Sequence, residues 1–250
     1  MKTAIIIPAR LASVRLPRKP LKLISGISLI ERVYRECAKA HGISVLIVAT
    51  DSEEIKSHVE SFGGTTMMTP PECENGTMRV ATAAQDLSAE IDVIINVQGD
   101  EPLIDPVVIE KLRECFERGP GVHIATPISP MIEPSDMQNS SAVKVALTRD
   151  NRALYFSRAP IPFDRDGDKS ISSGMFWKHI GVYGFRRKTL QQIMTLPMCP
   201  LEETEKLEQL RWLDAGYSIH CVSVEYDSVA VDTLEDVLRV ESILKQRGQA

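Results

Sequence analysis

The chain has 250 residues, of which 43% are hydrophobic and 25% charged, and its formal net charge is −5 at pH 7. This length can bury a large core, and the composition excludes a disordered, collagen-like or disulfide-rich chain. The acidic balance argues against binding to nucleic acid or to a membrane surface. We expect a cytoplasmic protein without membrane insertion, because no apolar run could span a bilayer and Met1-Lys2 leads directly into a strand pattern.

Short β-branched runs alternate with amphipathic helical patterns along the chain. This alternation is typical of βαβ units and predicts an α/β fold around a largely parallel sheet. The predicted strands are residues 3–8, 43–49, 65–68, 91–98, 122–126, 142–148, 153–157, 179–186 and 217–224. The predicted helices are residues 28–41, 52–62, 77–88, 106–118, 202–214 and 233–247.

Two further patterns concern loops and thiols. Residues 160–178 contain prolines, glycines and alternating charges, which predicts a long solvated loop or an arm that contacts a second copy of the chain. The five cysteines are widely scattered and include no C-x-x-C pair, so we expect reduced thiols rather than a zinc or disulfide framework.

A loop rich in cations follows the first predicted strand. Arg10, Arg15 and Lys19 lie within ten residues, and Pro17 and Pro20 stiffen the segment because proline fits neither a helix interior nor a central strand. In open α/β sheets, ligands bind at the carboxyl ends of strands. The segment has neither a Walker P-loop nor a G-x-G-x-x-G motif, so we expect these side chains to hold the phosphates of a nucleotide; a solvated basic turn is the alternative.

Two aspartates are candidates for a metal site. Asp100 follows the predicted strand 91–98, where carboxylate oxygens suit Mg²⁺ bound to substrate phosphates, although an ordinary turn aspartate is an alternative. Asp232 precedes Thr233, which together with Asp236 resembles a helix cap. Asp232 can serve as a second ligand only if its loop folds back onto Asp100.

A turn at Asn75-Gly76 opens a predicted helix. The free amides of the first helical turn and the Thr77 hydroxyl are suited to hold a base or a phosphate, and an ordinary helix start is an equally simple interpretation.

The second half of the chain carries a set of polar side chains suited to a sugar acid. Arg158 ends a predicted strand, His179 and Tyr183 lie on one face of another because side chains alternate along a strand, and Glu208 and Gln209 belong to a predicted helix. Together they suit a polyhydroxylated ligand whose carboxylate pairs with the arginine. A buried structural histidine and a surface ion pair on the helix are the alternatives for individual residues.

Eight segments, in order and almost from end to end, resemble the 3-deoxy-manno-octulosonate cytidylyltransferases, or CMP-Kdo synthetases. They are IPAR-x-x-S-x-RLP-x-KPL at 7–21, VATD at 48–51, NGT-x-R at 75–79, NVQGDEP at 96–102, ALYFSR at 153–158, HIGVYGFR at 179–186, LEQLR at 207–211 and VDT-x-ED at 231–236. The segments ALYFSR and LEQLR separate this family from its sialic acid relatives.

The resemblance implies a Rossmann-like nucleotidyltransferase fold, a homodimer, CTP as donor, the sugar acid Kdo as acceptor and Mg²⁺ as cofactor, in lipopolysaccharide biosynthesis. On this basis we predict a single cytidylyltransferase domain over residues 1–250, with a subregion around 150–190 for dimerisation and sugar binding.

The same resemblance assigns roles to individual residues. It implies that Arg10, Arg15 and Lys19 bind the triphosphate and act in catalysis. The implied nucleotide-binding residues further include Ala9, Thr77 and Arg79. The implied sugar-binding residues are Gln98, Arg158, His179, Tyr183, Glu208 and Gln209, and the implied metal ligands are Asp100 and Asp232.

One position departs from the family pattern. The family usually carries an acidic residue between the threonine and the arginine of the NGT-x-R segment, where this chain has Met78. The loss of that carboxylate leaves the orientation of Arg79 open, and with it two alternatives: an altered sugar acid, such as an amino-substituted Kdo or a sialic-type acid, and a nucleotide-binding module without activity. A metal-dependent glycosyltransferase is a weaker alternative, because the D-x-D pair of that class is missing at residues 98–100.

Overall fold

The computed structural model describes residues 1–13, 15–131, 134–166, 174–226 and 228–248. The chain divides into two compact units, one formed by residues 1–110 and 228–250 and the other by residues 111–227. The single domain with a subregion around 150–190 stays a prediction. Of the loop predicted at 160–178, residues 167–173 lie outside the described residues.

The first unit begins with alternating strands and helices. They are β1 (Lys2–Ala9), β2 (Leu23–Ile24), β3 (Ile27–Ser28), α1 (Leu29–Cys37), β4 (Val45–Thr50), α2 (Glu53–Ser61), β5 (Thr66–Met68), α3 (Gly76–Gln85) and β6 (Ile91–Asn96). Strands β5, β4, β1 and β6 lie side by side in that order and all pairs are parallel. Ile5, Ile6 and Ile7 are fully buried, as expected for a parallel strand that is covered on both faces.

Three helices of this unit begin at side-chain caps. Ser28, Ser52 and Asn75 accept hydrogen bonds from backbone amides in the first turns of α1, α2 and α3. Each cap satisfies an amide that has no partner within its own helix, so the cap residues fix where the helices begin.

Helix α4 (Pro106–Arg118) carries the chain into the second unit. The elements that follow are β7 (Ile124–Pro130), α5 (Pro134–Gln138), β8 (Lys144–Leu147), β9 (Ala153–Ser157), β10 (Trp177–His179), β11 (Tyr183–Arg186), α6 (Arg187–Ile193), α7 (Pro200–Glu205), α8 (Gln209–Asp214) and β12 (Ile219–Ser223). Strand β7 pairs with β12 in parallel and with β10 and β11 antiparallel, and β8 lies between β10 and β9. The predicted α/β class with a mixed sheet is thus confirmed.

The single strand predicted at 179–186 is wrong, because it is interrupted between β10 and β11. His179 pairs with Ile128 and Gly184 with Ala125, so the chain has two more residues between these pairs than β7 has. The extra residues form a bulge, within which the Val182 amide donates to the Ile180 carbonyl at 2.7 Å. His179 and Tyr183 therefore belong to different strands.

The single helix predicted at 202–214 is also wrong, because it breaks into α7 and α8. Lys206 has a left-handed backbone conformation with φ of 53°, which ends α7. The chain turns there, and Arg211 Nε and Nη2 donate to the two carboxylate oxygens of Glu202 at 2.6 and 2.5 Å. The helix break thus creates a bidentate ion pair that helical spacing does not predict.

Helix α9 (Leu234–Gln246) returns the chain to the first unit and confirms the predicted cap. The Thr233 hydroxyl accepts from the Asp236 amide at 3.2 Å, and the Asp236 carboxylate accepts from the Thr233 amide at 2.8 Å. This capping box fixes the start of α9 directly after Asp232. Within the described ranges, no helix is both long enough and apolar enough to cross a membrane.

Candidate functional site

The cation-rich loop after β1 ends in a short 3₁₀ turn. The turn spans Lys19–Leu21 and has the buried Pro20 at its second position. Proline suits the first turn of a helix because no partner is needed there for the missing N–H. Lys19 is half-buried by this arrangement, whereas Arg10 and Arg15 remain exposed.

Lys19 lies between the two aspartates that the sequence marks as candidate metal ligands. Its Nζ donates to Asp100 Oδ2 at 2.8 Å and to Asp232 Oδ1 at 2.9 Å. Arg15 approaches Asp232 from the same loop, with 3.0 Å between nitrogen and oxygen. Burial acts to lower the pKa of Lys19, but the contacts with Asp100 and Asp232 together outweigh it, so the pKa lies above its usual value.

Backbone contacts explain why the two aspartates meet. The Val231 amide donates to the Asp100 carbonyl at 2.9 Å, which joins the segment before α9 to the segment after β6. A Cβ atom at Gly99 would lie 2.8 Å from the Pro8 carbonyl oxygen, closer than real contacts allow. Glycine at this position therefore lets the segment that carries Asp100 pass directly against β1.

The aspartates and the cations line one cavity of about 500 Å³ in the first unit. Its lining residues come from the ends of β1 and β6, the segment leading into α3 and the segment leading into α9. They include Ala9, Arg10, Arg15, Lys19, Arg79, Gln98, Asp100 and Asp232. The structure thus brings together all residues predicted to bind nucleotide or metal except Thr77, which is buried in the first turn of α3.

Arg79 has a carboxylate partner even though residue 78 is a methionine. Its Nη2 donates to Asp51 Oδ2 at 2.8 Å, its Nη1 donates to the Thr69 hydroxyl, and only 3% of its side chain is exposed. The orientation of Arg79 is therefore fixed by the residues that directly follow β4 and β5 rather than by its helical neighbour. Asp51 is not among the site residues predicted from the sequence, although the motif VATD at 48–51 ends on it.

Gln98 lies at the wall of the cavity, against the start of α3. Its Nε2 donates to Asn96 Oδ1 at 3.3 Å, and a Cβ atom at Gly76 would lie 3.5 Å from its Oε1 and 3.3 Å from Pro8 Cγ. Because Gly76 has no side chain, Gln98 can lie directly against the first turn of α3.

The predicted sugar-binding residues other than Gln98 belong to the second unit, where His179 and Tyr183 are in contact. Their ring centroids are 5.3 Å apart, and Tyr183 also packs edge-on against Trp212. Burial lowers the pKa of His179 to about 3 and raises that of Tyr183 well above its usual value, so both side chains are neutral near pH 7.

Arg158 is bound by backbone carbonyls at the end of β9. Its guanidinium donates to Glu205 O at 2.8 Å, to Ser140 O at 2.9 Å and to Lys206 O at 3.4 Å. The Lys144 ammonium donates to the Arg158 carbonyl at 3.0 Å. Arg158 therefore joins several loops of the second unit.

Glu208 and Gln209 stand at the start of α8. Glu208 is the residue before the helix, and Gln209 is its first residue and is buried. The roles of Arg158, His179, Tyr183, Glu208 and Gln209 toward a sugar stay predictions.

The donor set of the first unit fits a magnesium ion. Oxygens of Asp100 and Asp232 lie within hydrogen-bonding distance of one ammonium nitrogen, so the two carboxylates already enclose a single positive charge. In the part of the chain that the structure describes, no group of three or more His, Cys, Asp or Glu side chains is arranged to hold a metal. Two carboxylates with room for phosphate oxygens match the preference of Mg²⁺, which takes few protein ligands and keeps the rest for water and substrate.

Comparisons with known proteins identify the class. The family model for cytidylyltransferases matches residues 4–219. This chain therefore belongs to the cytidylyltransferase family.

Two curated relatives and one solved structure match it over almost its whole length. A 3-deoxy-manno-octulosonate cytidylyltransferase of Chloroherpeton thalassium is 43% identical, covering 99% of both chains. An 8-amino-3,8-dideoxy-manno-octulosonate cytidylyltransferase of Shewanella amazonensis is 43% identical, covering 98% of this chain and 99% of the relative. A solved CMP:2-keto-3-deoxy-manno-octonic acid synthetase complexed with CTP is 37% identical with a TM-score of 0.92, covering 99% of this chain and all of that one.

The lowered pKa of the half-buried His179 generates a prediction about stability. As pH falls below about 6.5, the unfolded chain binds a proton at this position, whereas the folded protein does so only near pH 3. The free energy of unfolding therefore falls by about 1.4 kcal/mol for each pH unit below 6.5, and it is recovered as the pH rises to 6.5. We expect His179→Gln to reduce the loss of unfolding free energy between pH 7 and pH 5 by about 2 kcal/mol, measured by urea unfolding.

The matched control is His41→Gln, which replaces an exposed imidazole in the first unit. This variant should keep the wild-type decline in stability. An unchanged decline in His179→Gln would contradict the assignment of an imidazole that stays neutral in the folded protein.

Proposed function

We propose that this protein transfers CMP from CTP to the sugar acid Kdo, with release of pyrophosphate, for lipopolysaccharide biosynthesis. The observation that carries the proposal is the first unit's cavity, in which cations of one loop face two convergent carboxylates. The full-length similarity to Kdo cytidylyltransferases and to a synthetase complexed with CTP supports it.

The reaction joins the anomeric 2-hydroxyl of the sugar acid to the α-phosphorus of CTP. The hydroxyl oxygen forms the new bond and loses its proton, while the bond from the α-phosphorus to the bridging oxygen of pyrophosphate breaks. The exposed Arg10 and Arg15 and the half-buried Lys19 supply positive charge for the triphosphate and the leaving group. Positioning and charge neutralisation provide most of the acceleration in transfers of this kind.

Asp100 and Asp232 would hold Mg²⁺, whose charge polarises the α-phosphate and lowers the pKa of a bound hydroxyl. Lys19 donates hydrogen bonds to both carboxylates. With Mg²⁺ held by these carboxylates, the ammonium of Lys19 would supply its charge to the phosphates. By pairing with both acids, Lys19 also reduces their mutual repulsion.

The nucleotide end of the cavity is supported by Arg79 and by the start of α3. Arg79 is held rigidly by Asp51 and Thr69. Because its side chain is already ordered, binding of the nucleotide costs little further side-chain entropy at Arg79. Ala9 and Gln98 line the same cavity. Thr77 lies in the adjacent first turn of the helix.

A second candidate acceptor is 8-amino-Kdo. The relative from Shewanella that carries this name is as similar to the chain as the Kdo enzyme from Chloroherpeton, at 43% identity each. Overall similarity therefore does not separate the two acceptors.

Pyrophosphate release tests the proposed reaction. The purified protein is given CTP and Mg²⁺ with Kdo, 8-amino-Kdo or a sialic acid in separate assays. We expect the highest kcat/KM with Kdo. A higher value with 8-amino-Kdo would assign the second acceptor, and binding of CTP in calorimetry without turnover of any sugar acid would contradict the enzymatic function.

Substitution of the aspartates tests the metal site. We expect Asp100→Asn and Asp232→Asn each to lower kcat on the order of 100-fold or more, because the carboxylate charge is lost where phosphate charge must be neutralised. Circular dichroism should show a retained fold. Asp86→Asn, an exposed position at the end of α3, is the control with unchanged turnover. Normal kcat in either site variant would contradict the assignment.

We also propose a homodimer formed through the second unit. Strand β9 is at the end of the strand order, and its Leu154 is 60% exposed. Phe163, shortly after this strand, is 83% exposed, and Met175 is 50% exposed. Large exposed apolar side chains next to an edge strand are typical of an association surface, and a second copy of the chain is the occupant that the family resemblance favours.

A cytoplasmic location also stays a prediction.

Light scattering after size-exclusion chromatography tests the dimer. We expect the wild type to elute with twice the mass of one chain and the variant Leu154→Glu/Phe163→Glu to shift to the monomer, because two charges cannot be buried unpaired in an apolar interface. Leu238→Glu changes an exposed leucine on α9 and should leave the dimer intact. A wild-type protein that is monomeric at all concentrations would contradict the proposal.

A further inference from the structure

The hydroxyl of Thr126 lies among three polar atoms in the second unit. Its Oγ1 is 2.8 Å from the Val182 carbonyl oxygen, 3.2 Å from the Ile180 carbonyl oxygen and 2.9 Å from His179 Nε2. Thr126 itself is fully buried in β7. Water therefore does not compete for these contacts.

The chemistry of the neighbours decides where the hydroxyl proton points. The carbonyl oxygens of Val182 and Ile180 can only accept hydrogen bonds, so the single proton of Thr126 must be directed toward them. The lone pairs of Oγ1 then face His179. A neutral imidazole carries one N–H, and it must be on Nε2 for the contact at 2.9 Å to be a hydrogen bond.

We infer that Thr126 is a positioning residue that holds His179 in the tautomer protonated on Nε2, so that Nδ1 is a hydrogen-bond acceptor for a hydroxyl or amino group of the sugar acid. The sugar part of this inference rests on the proposed function. Among the described residues, none donates to Nδ1, and the ring is only half-buried.

The bulge between β10 and β11 builds this arrangement. The Ile180 amide still donates to Pro127 of β7 at 3.1 Å, but the two extra residues turn the Ile180 and Val182 carbonyls toward the Thr126 hydroxyl, and the Ile180 carbonyl also accepts from the Val182 amide. The same bulge brings Tyr183 next to His179. The strand irregularity thus determines the tautomer, and the sequence pattern alone contains no sign of it.

A second polar group beside the ring supports a ligand there. Tyr183 is 7% exposed, and its buried hydroxyl has no hydrogen-bond partner in the described part of the chain. Such an unpaired group costs free energy unless a ligand or water satisfies it. Tyr183 can donate to an acceptor of the ligand, and His179 Nδ1 can accept from a donor of the same ligand, which suits vicinal hydroxyl groups.

This assignment restricts which part of the sugar acid meets His179. Because the imidazole stays neutral near pH 7 and offers a lone pair, it cannot pair with the carboxylate. A hydroxyl fits, and so does the ammonium group of an amino-substituted acid. The side chain therefore recognises the polyol part of either candidate acceptor.

The tautomer can be measured directly in the protein without substrate. In a long-range ¹H–¹⁵N spectrum of histidine-labelled protein, each of the five imidazoles gives its own pattern, and His179→Gln assigns the signal in question. We expect a pyrrole-type Nε2 and a pyridine-type Nδ1 at neutral pH. A proton on Nδ1 would overturn the inference whatever the enzyme's activity.

A matched pair of variants tests the role in binding. Thr126→Val keeps the shape of the side chain but removes the hydroxyl, and Thr126→Ser keeps the hydroxyl but removes the methyl group. We expect Thr126→Val to raise the KM for the sugar acid about 10-fold, the size of one hydrogen bond, with little change in the KM for CTP. Thr126→Ser should restore the sugar KM.

The outcomes separate this inference from the proposed function. If no sugar acid is turned over by the wild type, the proposed function fails, while the spectrum still decides the tautomer. If Thr126→Val changes the KM of CTP and of the sugar acid equally, or if Thr126→Ser behaves like Thr126→Val, the residue is merely structural and the inference is overturned. If Thr126→Val does not fold, the comparison of Thr126→Ser with the wild type and the tautomer measurement remain decisive.

Discussion

The site in the first unit depends on the ammonium group of Lys19, which lies between the carboxylates of Asp100 and Asp232. The two negatively charged carboxylates repel each other, and Lys19 offsets that repulsion through one hydrogen bond to each of them. The loop after β1, the segment after β6 and the segment before α9 are thereby held together. The amide of Val231 and the missing side chain of Gly99 make the close approach sterically possible.

The same interaction determines how the cavity can work. Lys19 carries its charge on a flexible four-carbon chain, so its ammonium, which is shared between two carboxylates, is able to change partners. Arg79 differs from Lys19 in this respect. It is almost completely buried and held by Asp51 and Thr69, and it forms a fixed part of the wall. The cavity therefore combines an adaptable cation with a rigid one.

The part of the second unit around His179 is built from neutral polar and aromatic groups. His179 and Tyr183 lie in an aromatic group where burial keeps both uncharged, and Thr126 connects the ring to a strand bulge. The sequence predicts that Arg158 pairs with a substrate carboxylate. In the structure its guanidinium donates hydrogen bonds to backbone carbonyls of its own unit. The side chains predicted to bind the sugar acid are therefore also part of the packing and hydrogen bonding of this unit.

The sequence by itself determined the alternation of the main strands and helices in the first unit, the cap at Thr233, the cations of the first loop and the two aspartates, because periodicity, capping residues and charge are local properties of the chain. Only the tertiary structure decided that Asp51 is the partner of Arg79, that Lys206 breaks a helix so that Arg211 meets Glu202, and that a strand bulge brings the rings of His179 and Tyr183 into contact. These features arise from the register of neighbouring strands and from left-handed backbone geometry. Contacts between residues far apart in the chain set both, and no local pattern encodes them.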